Sequence, residues 1–392
     1  MTKQAYLMLL CAVIAIGLMI SPAVAVETAP GDPFYCRLDK AQEHPDIDGN
    51  MIVWEDDRNG NKDIYFGTVD KFKADPYLGN QYVSYTGEKI TNNPASQEKP
   101  SISGDYIVWQ DNRNGDWDIY LYRRSTYEER RLTGDAGNQW MPAICGNYAA
   151  WYDDSSGRTN VVLYDINAGK VKTTIDCNAH TRIPGATATT EFKPALSEKY
   201  VAWIEESDRK VYYYDIAAGG GKRAVSTSTA EQSWPSLHGG IIVWEDYRHA
   251  GTRPDIYMVD LDAPSRKEIQ ITDADNDQVS PAIGENIIAW EDKRGAPDSV
   301  RSIYMYDISR EREMPVVLSV DRYDEHLYPA VSGNTIVWQR GQGANSNLYI
   351  FVYDPEELDA KVTTIEVTPP SSTLAIGDTE QFSATAFDQN GD

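Results

Sequence analysis

Short apolar runs alternate with polar turns along most of this chain, and one such pattern recurs seven times. A legible copy spans residues 97–122, where an apolar run ending at Trp109 is followed by a polar loop and then by Ile119-Tyr120. β-branched and aromatic runs of this length, bounded by Gly, Asn, Asp and Pro, are typical of strands rather than helices. The pattern therefore predicts an all-β chain built from a repeated unit.

Each copy contains a tryptophan with a proline nine positions before it. The pairs are Pro45 and Trp54, Pro100 and Trp109, Pro142 and Trp151, Pro194 and Trp203, Pro235 and Trp244, Pro281 and Trp290, and Pro329 and Trp338. Successive tryptophans are about forty to fifty-five residues apart, close to the length of a four-stranded propeller blade. Seven copies therefore predict a seven-bladed β-propeller of four-stranded antiparallel blades, since a blade alone cannot bury its aromatic faces.

The first strand-like segment, at about residues 32–39, has no blade of its own ahead of it. Its Tyr35-Cys36 pair precedes Pro45 at the offset that Ile-Thr pairs take before later prolines, which marks an outermost strand. We expect this strand to close the propeller by completing the seventh blade. Residues 361–365, which resemble residues 170–175 of the third copy, are the alternative for the same position.

The repeat resembles the TolB-type β-propeller repeat. The resemblance lies in Pro-x-aliphatic-x-Gly, followed by Ile-Val-Trp-x-Asp-x-Arg-x-Gly-x-x-Asp-Ile-Tyr. The Trp-Glu-Asp-x-Arg form is similar to copies in large cell-surface proteins of methanogenic archaea. The resemblance covers roughly residues 34–358 and implies a propeller fold. It implies little about activity, because the repeat occurs in translocation proteins, surface proteins and a few enzymes.

The two ends of the chain differ from the repeats. Residues 1–25 carry Lys3, an uncharged apolar run and an Ala-x-Ala-like end, which predict a secretory signal peptide too short to be a membrane span. With the propeller assigned to residues 26–358, residues 361–392 alternate as strands do and resemble the opening of a bacterial Ig-like domain. We expect only part of that domain here, and a secreted or cell-surface protein.

The net charge bears on which partners the chain can bind, and the cysteine content bears on whether it forms disulfides. The formal net charge is −24, so the chain should repel nucleic acid and anionic membranes. Apart from Cys11 in the predicted signal peptide, three cysteines remain, Cys36, Cys145 and Cys177. Their odd number and irregular spacing argue against a disulfide framework and indicate free thiols. We expect no transmembrane segment beyond the signal peptide.

One polar residue recurs three positions before each proline and is a candidate ligand site at the channel mouth. The set is Gln42, Gln97, Gln139, Glu191, Gln232, Gln278 and His326. These side chains would either ring the mouth or satisfy backbone groups where blades meet. The seven-fold repetition favours the structural role, and the departures at Glu191 and His326 mark where a site would lie.

The loop after the tryptophan carries acidic and amide side chains in alternation, a pattern that suits calcium. The candidate ligands are Asp57, Asn59, Asn61 and Asp63 in the first copy and Asn112, Asn114, Asp116 and Asp118 in the second. The closing Glu of an EF-hand is missing. The competing interpretation is that an Asp-x-Arg pair and its neighbours fasten the loop by hydrogen bonds. No other cofactor is indicated.

No hydrolase elbow, dinucleotide motif or phosphate loop is present. We therefore expect an exported, non-catalytic recognition or scaffolding module that binds a protein or a surface glycan. One alternative is a polysaccharide lyase or glycosidase acting at the channel mouth, where His44 and His326 adjoin after closure. Another is a TolB-like envelope docking component. A site requires dissimilar polar side chains that converge at one end of the channel.

Overall fold

The computed structural model describes residues 34–36, 40–73, 82–83, 87–179, 192–249, 253–294, 300–319, 325–341, 346–355, 364–368 and 383–387. For residues 34–36, 72–73, 82–83, 364–368 and 383–387 only the backbone is described. The expected signal peptide at residues 1–25 and the mouth candidate Glu191 lie outside this set. Gly31–Val352 form one compact unit, and residues 1–30 and 353–392 belong to another.

The compact unit is a seven-bladed β-propeller of four-stranded antiparallel blades, which confirms the predicted fold class. Blade 1 contains β2 (Gln42–Asp48), β3 (Met51–Asp56), β4 (Asp63–Thr68) and β6 (Glu88–Lys89). Blade 2 contains β7 (Gln97–Ser103), β8 (Tyr106–Asp111), β9 (Asp118–Arg123) and β10 (Glu128–Arg131). Blade 3 contains β11 (Gln139–Cys145), β12 (Tyr148–Asp153), β13 (Asn160–Asp165) and β14 (Lys170–Ile175).

The remaining blades follow the same plan. Blade 4 contains β15 (Ala195–Leu196), β16 (Tyr200–Glu205), β17 (Lys210–Asp215) and β18 (Arg223–Ala224). Blade 5 contains β19 (Gln232–His238), β20 (Ile241–Asp246), β21 (Asp255–Asp260) and β22 (Ile269–Gln270). Blade 6 contains β23 (Gln278–Ile283), β24 (Ile287–Asp292), β25 (Ser302–Asp307) and β26 (Arg312–Val317). Blade 7 contains β27 (His326–Ser332), β28 (Thr335–Arg340) and β29 (Asn347–Val352), joined by β1 (Phe34–Cys36) and β5 (Tyr82–Val83).

The N-terminal strand closes the propeller, as the sequence favoured. β1 pairs antiparallel with β29, placing Tyr35 opposite Tyr349. β5, from the long insertion of blade 1, then pairs parallel with β1 on its other side. The short helix α1 (Val69–Lys73) starts that insertion. Blade 1 thus contributes a strand to blade 7, an arrangement that the repeat pattern did not predict.

The competing C-terminal segment has a different partner. β30 (Thr364–Thr368) pairs antiparallel with β31 (Ser383–Phe387) in a separate two-stranded sheet. The rest of residues 361–392, on which the expected Ig-like fragment falls, lies outside the described residues. In the part of the chain that is described, no helix combines the length and apolar character needed to cross a bilayer.

The seven repeat tryptophans are the largest side chains of the core, and each is at most 1% exposed. Each stands on the second strand of its blade, and those of blades 1–6 pack against the preceding blade. Trp109, for example, packs with Val53 and Ile64 of blade 1. Trp54 packs with Leu348 of blade 7 in the same way, so the contact continues across the point of closure. Interblade packing of indoles therefore holds the propeller together.

The thiols follow the expectation of unpaired cysteines. Cys145 is half-buried on β11, Cys177 is buried beyond β14, and both are free. Burial raises the pKa of each thiol to about 11, so both are protonated at neutral pH. The side chain of Cys36 is outside the described set.

Replacing a repeat tryptophan should weaken the whole propeller. Trp244 packs against Ile204 and Val211 of blade 4, so Trp244→Ala removes an interblade contact and should lower the free energy of unfolding by about 3–5 kcal/mol. Denaturant unfolding measures this. Trp117→Ala, which removes a half-buried tryptophan outside the repeat set, is the control and should cost much less. An equal loss in both variants would contradict the role assigned to the repeat indoles.

Candidate ligand site at the channel mouth

The six described glutamine and histidine candidates are buried between blades. Gln42, Gln97, Gln139, Gln232, Gln278 and His326 are at most 1% exposed. Gln97 Nε2 donates to the Ala95 carbonyl at 2.7 Å, and Gln42 Oε1 accepts from the Leu348 amide of blade 7 at 3.4 Å. None of these six is among the described residues that line the central cavity. Gln42 and Gln232 accept backbone N–H groups of the neighbouring blade, at Leu348 and Val211, which fits the structural role.

His326 departs from glutamine for a structural reason. In blade 5 the Trp244 indole donates to Asp246 Oδ2, two positions further on, at 2.9 Å. Blade 7 has Arg340 in place of that aspartate. The Trp338 indole instead donates to His326 Nδ1 at 2.8 Å. The two departures compensate for each other, so His326 does not signal a ligand site.

The loops proposed to bind calcium are fastened internally. Arg58 Nε donates to Asp56 Oδ1 at 2.8 Å, and its guanidinium lies over the Tyr65 ring at 4.1 Å. The amide nitrogen of Asn61 donates to the Ala95 carbonyl at 3.0 Å, and Asp63 Oδ2 lies 2.8 Å from Lys89 Nζ.

The second copy is fastened in a similar way, and its Asn114 corresponds to Asn59, whose amide nitrogen donates to the Tyr65 hydroxyl at 2.8 Å. The amide nitrogen of Asn114 donates to the Tyr120 hydroxyl at 2.9 Å, Asp118 meets Arg131 at 2.8 Å, and Asp116 is exposed. Asp57 and Asn112 accept backbone N–H groups of Ala41 and Ser96, in the segments that lead into the innermost strands. The amide donors and lysine or arginine partners of both loops suit loop fastening better than calcium ligation.

A cavity of about 310 Å³ lies along the propeller axis, enclosed by the innermost strands. The end at which these strands begin is termed the entry mouth here, and the other end the exit mouth. At the entry mouth stand the residues that immediately precede the repeat prolines, termed the mouth residues. They are His44, Lys99, Met141, Lys193, Trp234, Ser280 and Tyr328. All except Ser280 line the cavity.

Six of the seven mouth residues have a left-handed backbone. Their φ angles are 50° at His44, 54° at Lys99, 54° at Met141, 46° at Trp234, 54° at Ser280 and 53° at Tyr328. In each of these blades the pairing of the first two strands shifts register at this point, which marks a β-bulge. A left-handed non-glycine residue costs roughly 1–3 kcal/mol and persists only where its surroundings hold it.

Side chains of the preceding blade hold five of these bulges. The residue directly after the repeat tryptophan accepts the N–H of the next blade's mouth residue. The pairs are Lys99 N to Glu55 Oε1 at 2.7 Å, Met141 N to Gln110 Oε1 at 2.9 Å, Ser280 N to Glu245 Oε1 at 2.7 Å, Tyr328 N to Glu291 Oε1 at 2.8 Å, and His44 N to Gln339 Oε1 at 3.3 Å. The backbone of the mouth is thus repeated, whereas the side chains that it presents differ.

Aromatic side chains form one side of the entry mouth. Phe192 meets Trp234 edge-on with ring centroids 5.1 Å apart. Trp234 and Tyr328 are stacked, with centroids 6.3 Å apart and an interplanar angle of 19°. They belong to blades 5 and 7 and meet because the mouth residue of blade 6 between them is the small Ser280. His44 extends the row, with its ring 5.0 Å from Tyr328.

A charged network lies beside this row. Lys99 Nζ lies 2.7 Å from His44 Nε2, and His44 Nδ1 lies 3.1 Å from Glu55 Oε1. Burial lowers the pKa of His44, which is therefore neutral, accepts from Lys99 on Nε2 and carries its proton on Nδ1. Burial alone would raise the pKa of Glu55, but His44, Lys99 and Lys62 hold it well below its usual range.

Within the described residues, this network contains three side chains whose ligand atoms are close enough together to hold a metal ion. Ligand atoms of Glu43, His44 and Glu55 lie within 4.8 Å of one another. Lys62 Nζ contacts Glu55 at 2.7 Å and Glu43 at 3.1 Å, so an ammonium group already balances these carboxylates. This donor set is an ion-pair network rather than a metal centre.

Glu245 is the one buried bulge-holding carboxylate in the described part of the chain that has no adjacent basic partner. Its equivalents pair with the residue before the third strand of their blade: Glu55 with Lys62, and Glu291 with Arg301 at 2.6 Å. In blade 5 that position is Pro254. Burial consequently raises the pKa of Glu245 to about 7, although the hydrogen bonds from Ser233 and the Ser280 amide lower that pKa.

Stability should therefore fall with rising pH through this group. The unfolded chain loses the Glu245 proton near the ordinary value of 4.5 and the folded chain only near 7, so ionisation favours unfolding in between. The loss should reach about 3 kcal/mol above pH 7. Unfolding free energies at pH 5 and pH 8 measure it: Glu245→Gln should remove this part of the decline, and Glu128→Gln, at an exposed position, should not. The same decline in Glu245→Gln as in the parent would refute the assignment.

Comparison with known proteins supports the fold and assigns no family. No family model and no curated protein matches the chain. Among solved structures, an oligogalacturonate lyase from Vibrio parahaemolyticus is similar with a TM-score of 0.52 and 12% identity, covering 86% of this chain and 96% of that one.

Two further solved structures are similar to the chain. The β-propeller domain of the Trilobed protease from Pyrococcus furiosus is similar with a TM-score of 0.55 and 10% identity, covering 80% of this chain and 95% of that one. TolB from Acinetobacter baumannii is similar with a TM-score of 0.42 and 13% identity, covering 64% of this chain and 65% of that one. At these identities the likeness to the lyase and to the protease domain shows the fold alone. The chain is a seven-bladed β-propeller with distant likeness to propellers of lyases, proteases and TolB.

Proposed function

We propose that this protein is a recognition module that binds its ligand at the entry mouth of the propeller channel. One observation carries the proposal. Six blades hold a strained, left-handed residue at the same place, yet the seven mouth positions carry His, Lys, Met, Lys, Trp, Ser and Tyr. A scaffold kept constant while its displayed chemistry varies is typical of a binding surface.

The contrast with the neighbouring buried positions supports this interpretation. The channel-mouth candidate lies two residues before each mouth residue, and it is Gln in five of the six blades in which it is described. A packing role requires the same side chain in each blade. The mouth residues have no such uniformity. The cavity that they open into has a volume of about 310 Å³, at the lower end of the size range of small-molecule sites. A single sugar unit or a side chain of a partner suits this volume.

The proposed setting is outside the cell. The signal-like N-terminal segment, the acidic composition and the resemblance of the repeat to archaeal surface proteins all support a secreted or cell-surface location. A surface glycan is the ligand favoured in that setting, because aromatic side chains form one side of the mouth.

A second candidate function is a lyase acting on an acidic polysaccharide, favoured by the Lys99–His44–Glu55 chain at the mouth. Such a reaction needs a base to take a proton and a cation beside the substrate carboxylate. We prefer binding, because the accepting nitrogen of His44 already receives a hydrogen bond from Lys99 at 2.7 Å. The structural likeness to an oligogalacturonate lyase bears on fold alone. Appearance of an unsaturated product on incubation with acidic polysaccharides would favour the lyase.

A glycan array probed with the whole chain tests the binding proposal. Trp234→Ala and Tyr328→Ala should each reduce the signal of the bound glycan at least tenfold, because each removes part of the aromatic side of the mouth. His238→Ala, at the exit mouth of the same cavity, is the matched control and should bind as the parent does. Circular dichroism melts verify that all variants fold.

Either of two results would count against this proposal. One is a glycan signal that both aromatic variants retain in full, since binding would then lie elsewhere. The other is a loss in His238→Ala alone, which would place the ligand at the exit mouth.

A further inference from the structure

We infer that the ligand of the entry mouth is an anionic sugar: a pyranose ring with one negatively charged substituent. This inference rests on the proposed function and narrows it to a chemical class. It follows from how aromatic and basic side chains are divided around the mouth and from how charge is divided along the channel.

The aromatic side chains occupy blades 5 and 7, with Phe192 of blade 4 against them. Trp234 and Tyr328 are nearly parallel, at 19°, and together offer a broad apolar platform. The negative face of an aromatic ring attracts the polarised C–H bonds on the flat side of a sugar. Both side chains are placed there by left-handed backbone, with φ of 46° and 53°. This side of the mouth suits a ring stacked on its face.

The basic side chains flank this platform. Lys193 of blade 4 follows Phe192, which packs against Trp234, and its Nζ lies 3.7 Å from Asp46 of blade 1. Lys99 of blade 2 contacts His44, whose ring lies against Tyr328. A sugar ring stacked on the platform would point a substituent toward these ammonium groups. Lysine is a point charge that suits a carboxylate or a sulfate equally.

Two carboxylates near the entry mouth, Asp46 and Glu55, are engaged by protein groups. Asp46 lines the cavity, but one of its oxygens accepts from Ser101 Oγ at 2.6 Å and from the Ile102 amide at 3.1 Å. It also lies 3.7 Å from Lys193 Nζ. Glu55 is held by Lys62 and by the Lys99 amide. On the cavity wall at this end, two ammonium groups therefore meet one carboxylate that is already hydrogen-bonded.

The exit mouth has the opposite charge. Asp48 accepts the Gly104 amide at 2.6 Å, and Glu285 accepts the Gly333 amide, which places both carboxylates at the last residues of the channel wall. An anion is therefore favoured at the entry mouth and disfavoured at the exit mouth. This polarity along the axis also gives the ligand one direction of entry.

Titration calorimetry with three small sugars tests the inference. The probes are methyl glucuronide, glucose 6-sulfate and the neutral methyl glucoside, each added to the whole chain. We expect at least one of the two anionic sugars to bind at least tenfold more tightly than the neutral sugar, with affinity that falls as salt rises. The two anionic probes distinguish a carboxylate from a sulfate as the recognised group.

Variants assign the preference to named residues. Lys193→Met and Lys99→Met should each reduce the ratio of anionic-sugar to neutral-sugar affinity at least threefold. Lys99→Arg, which keeps the charge, should retain most of it and separates the charge from any disturbance of His44. Trp234→Ala should weaken all three probes alike.

The outcomes separate this inference from the function on which it rests. Equal affinity for neutral and anionic sugars, with loss in Trp234→Ala, would overturn the anionic preference and leave the recognition site standing. Binding of none of the three probes would also overturn it, and a Trp234-dependent array signal would then still uphold recognition. An anionic preference that both lysine variants retain would overturn the assignment to this mouth.

Discussion

The insertion of one indole between each pair of blades is the interaction on which the rest of this structure depends. A four-stranded blade cannot cover its own aromatic face, so it is stable only between two neighbours. The repeat tryptophan fills that interface, and in six of the seven blades its indole N–H is tied to its own blade by a hydrogen bond, for example to Asp246 in blade 5 and to His326 in blade 7. Because the same contact joins Trp54 to blade 7, the propeller closes without an exposed interface.

Closure has consequences at the channel. The position after each tryptophan lies deep between blades and faces the next blade's innermost strand, so it is placed to accept a backbone N–H. Where that residue is Glu or Gln, the strand of the next blade bulges and its mouth residue takes a left-handed conformation. The packing that builds the propeller therefore also aims side chains at the channel mouth. In blade 4 the preceding position is Tyr152, and Lys193 is not among the left-handed residues. Blade 5 keeps the bulge and a left-handed Trp234 although the preceding position is Ile204, so the acceptor accompanies five of the six bulges and is not required for the sixth.

The fold was readable from the sequence because its signals are local and repeated. The Pro-to-Trp spacing identifies the first two strands of each blade, and Tyr35-Cys36 before Pro45 identifies the closing strand. The strand of the blade 1 insertion that pairs within blade 7 could not be predicted, because a two-residue strand such as Tyr82–Val83 has no alternation of apolar and polar residues to identify it.

The site was largely missed for a physical reason. A residue before proline ordinarily favours an extended backbone, so nothing in the sequence marks His44 or Trp234 as left-handed. The N–H of His44 is held by Gln339, which is far away in the sequence and belongs to another blade. One feature of the sequence could have indicated the site. The residue before each repeat proline differs from copy to copy, whereas the proline and the glutamine position around it recur. The pairing of Glu55 with Lys62 and Glu291 with Arg301, absent at Glu245 and Pro254, was also visible in the sequence but has meaning only once the blades are in register.

The central claim is that a uniform, strained backbone presents dissimilar side chains to a ligand at one end of the channel. The indole N–H signals of the protein labelled with ¹⁵N-tryptophan test it most directly, because the seven repeat indoles are buried and Trp234 lines the cavity. On addition of a bound glycan, the account predicts that the Trp234 signal moves and the seven repeat signals stay in place. A stationary Trp234 signal in the presence of saturating ligand would contradict it.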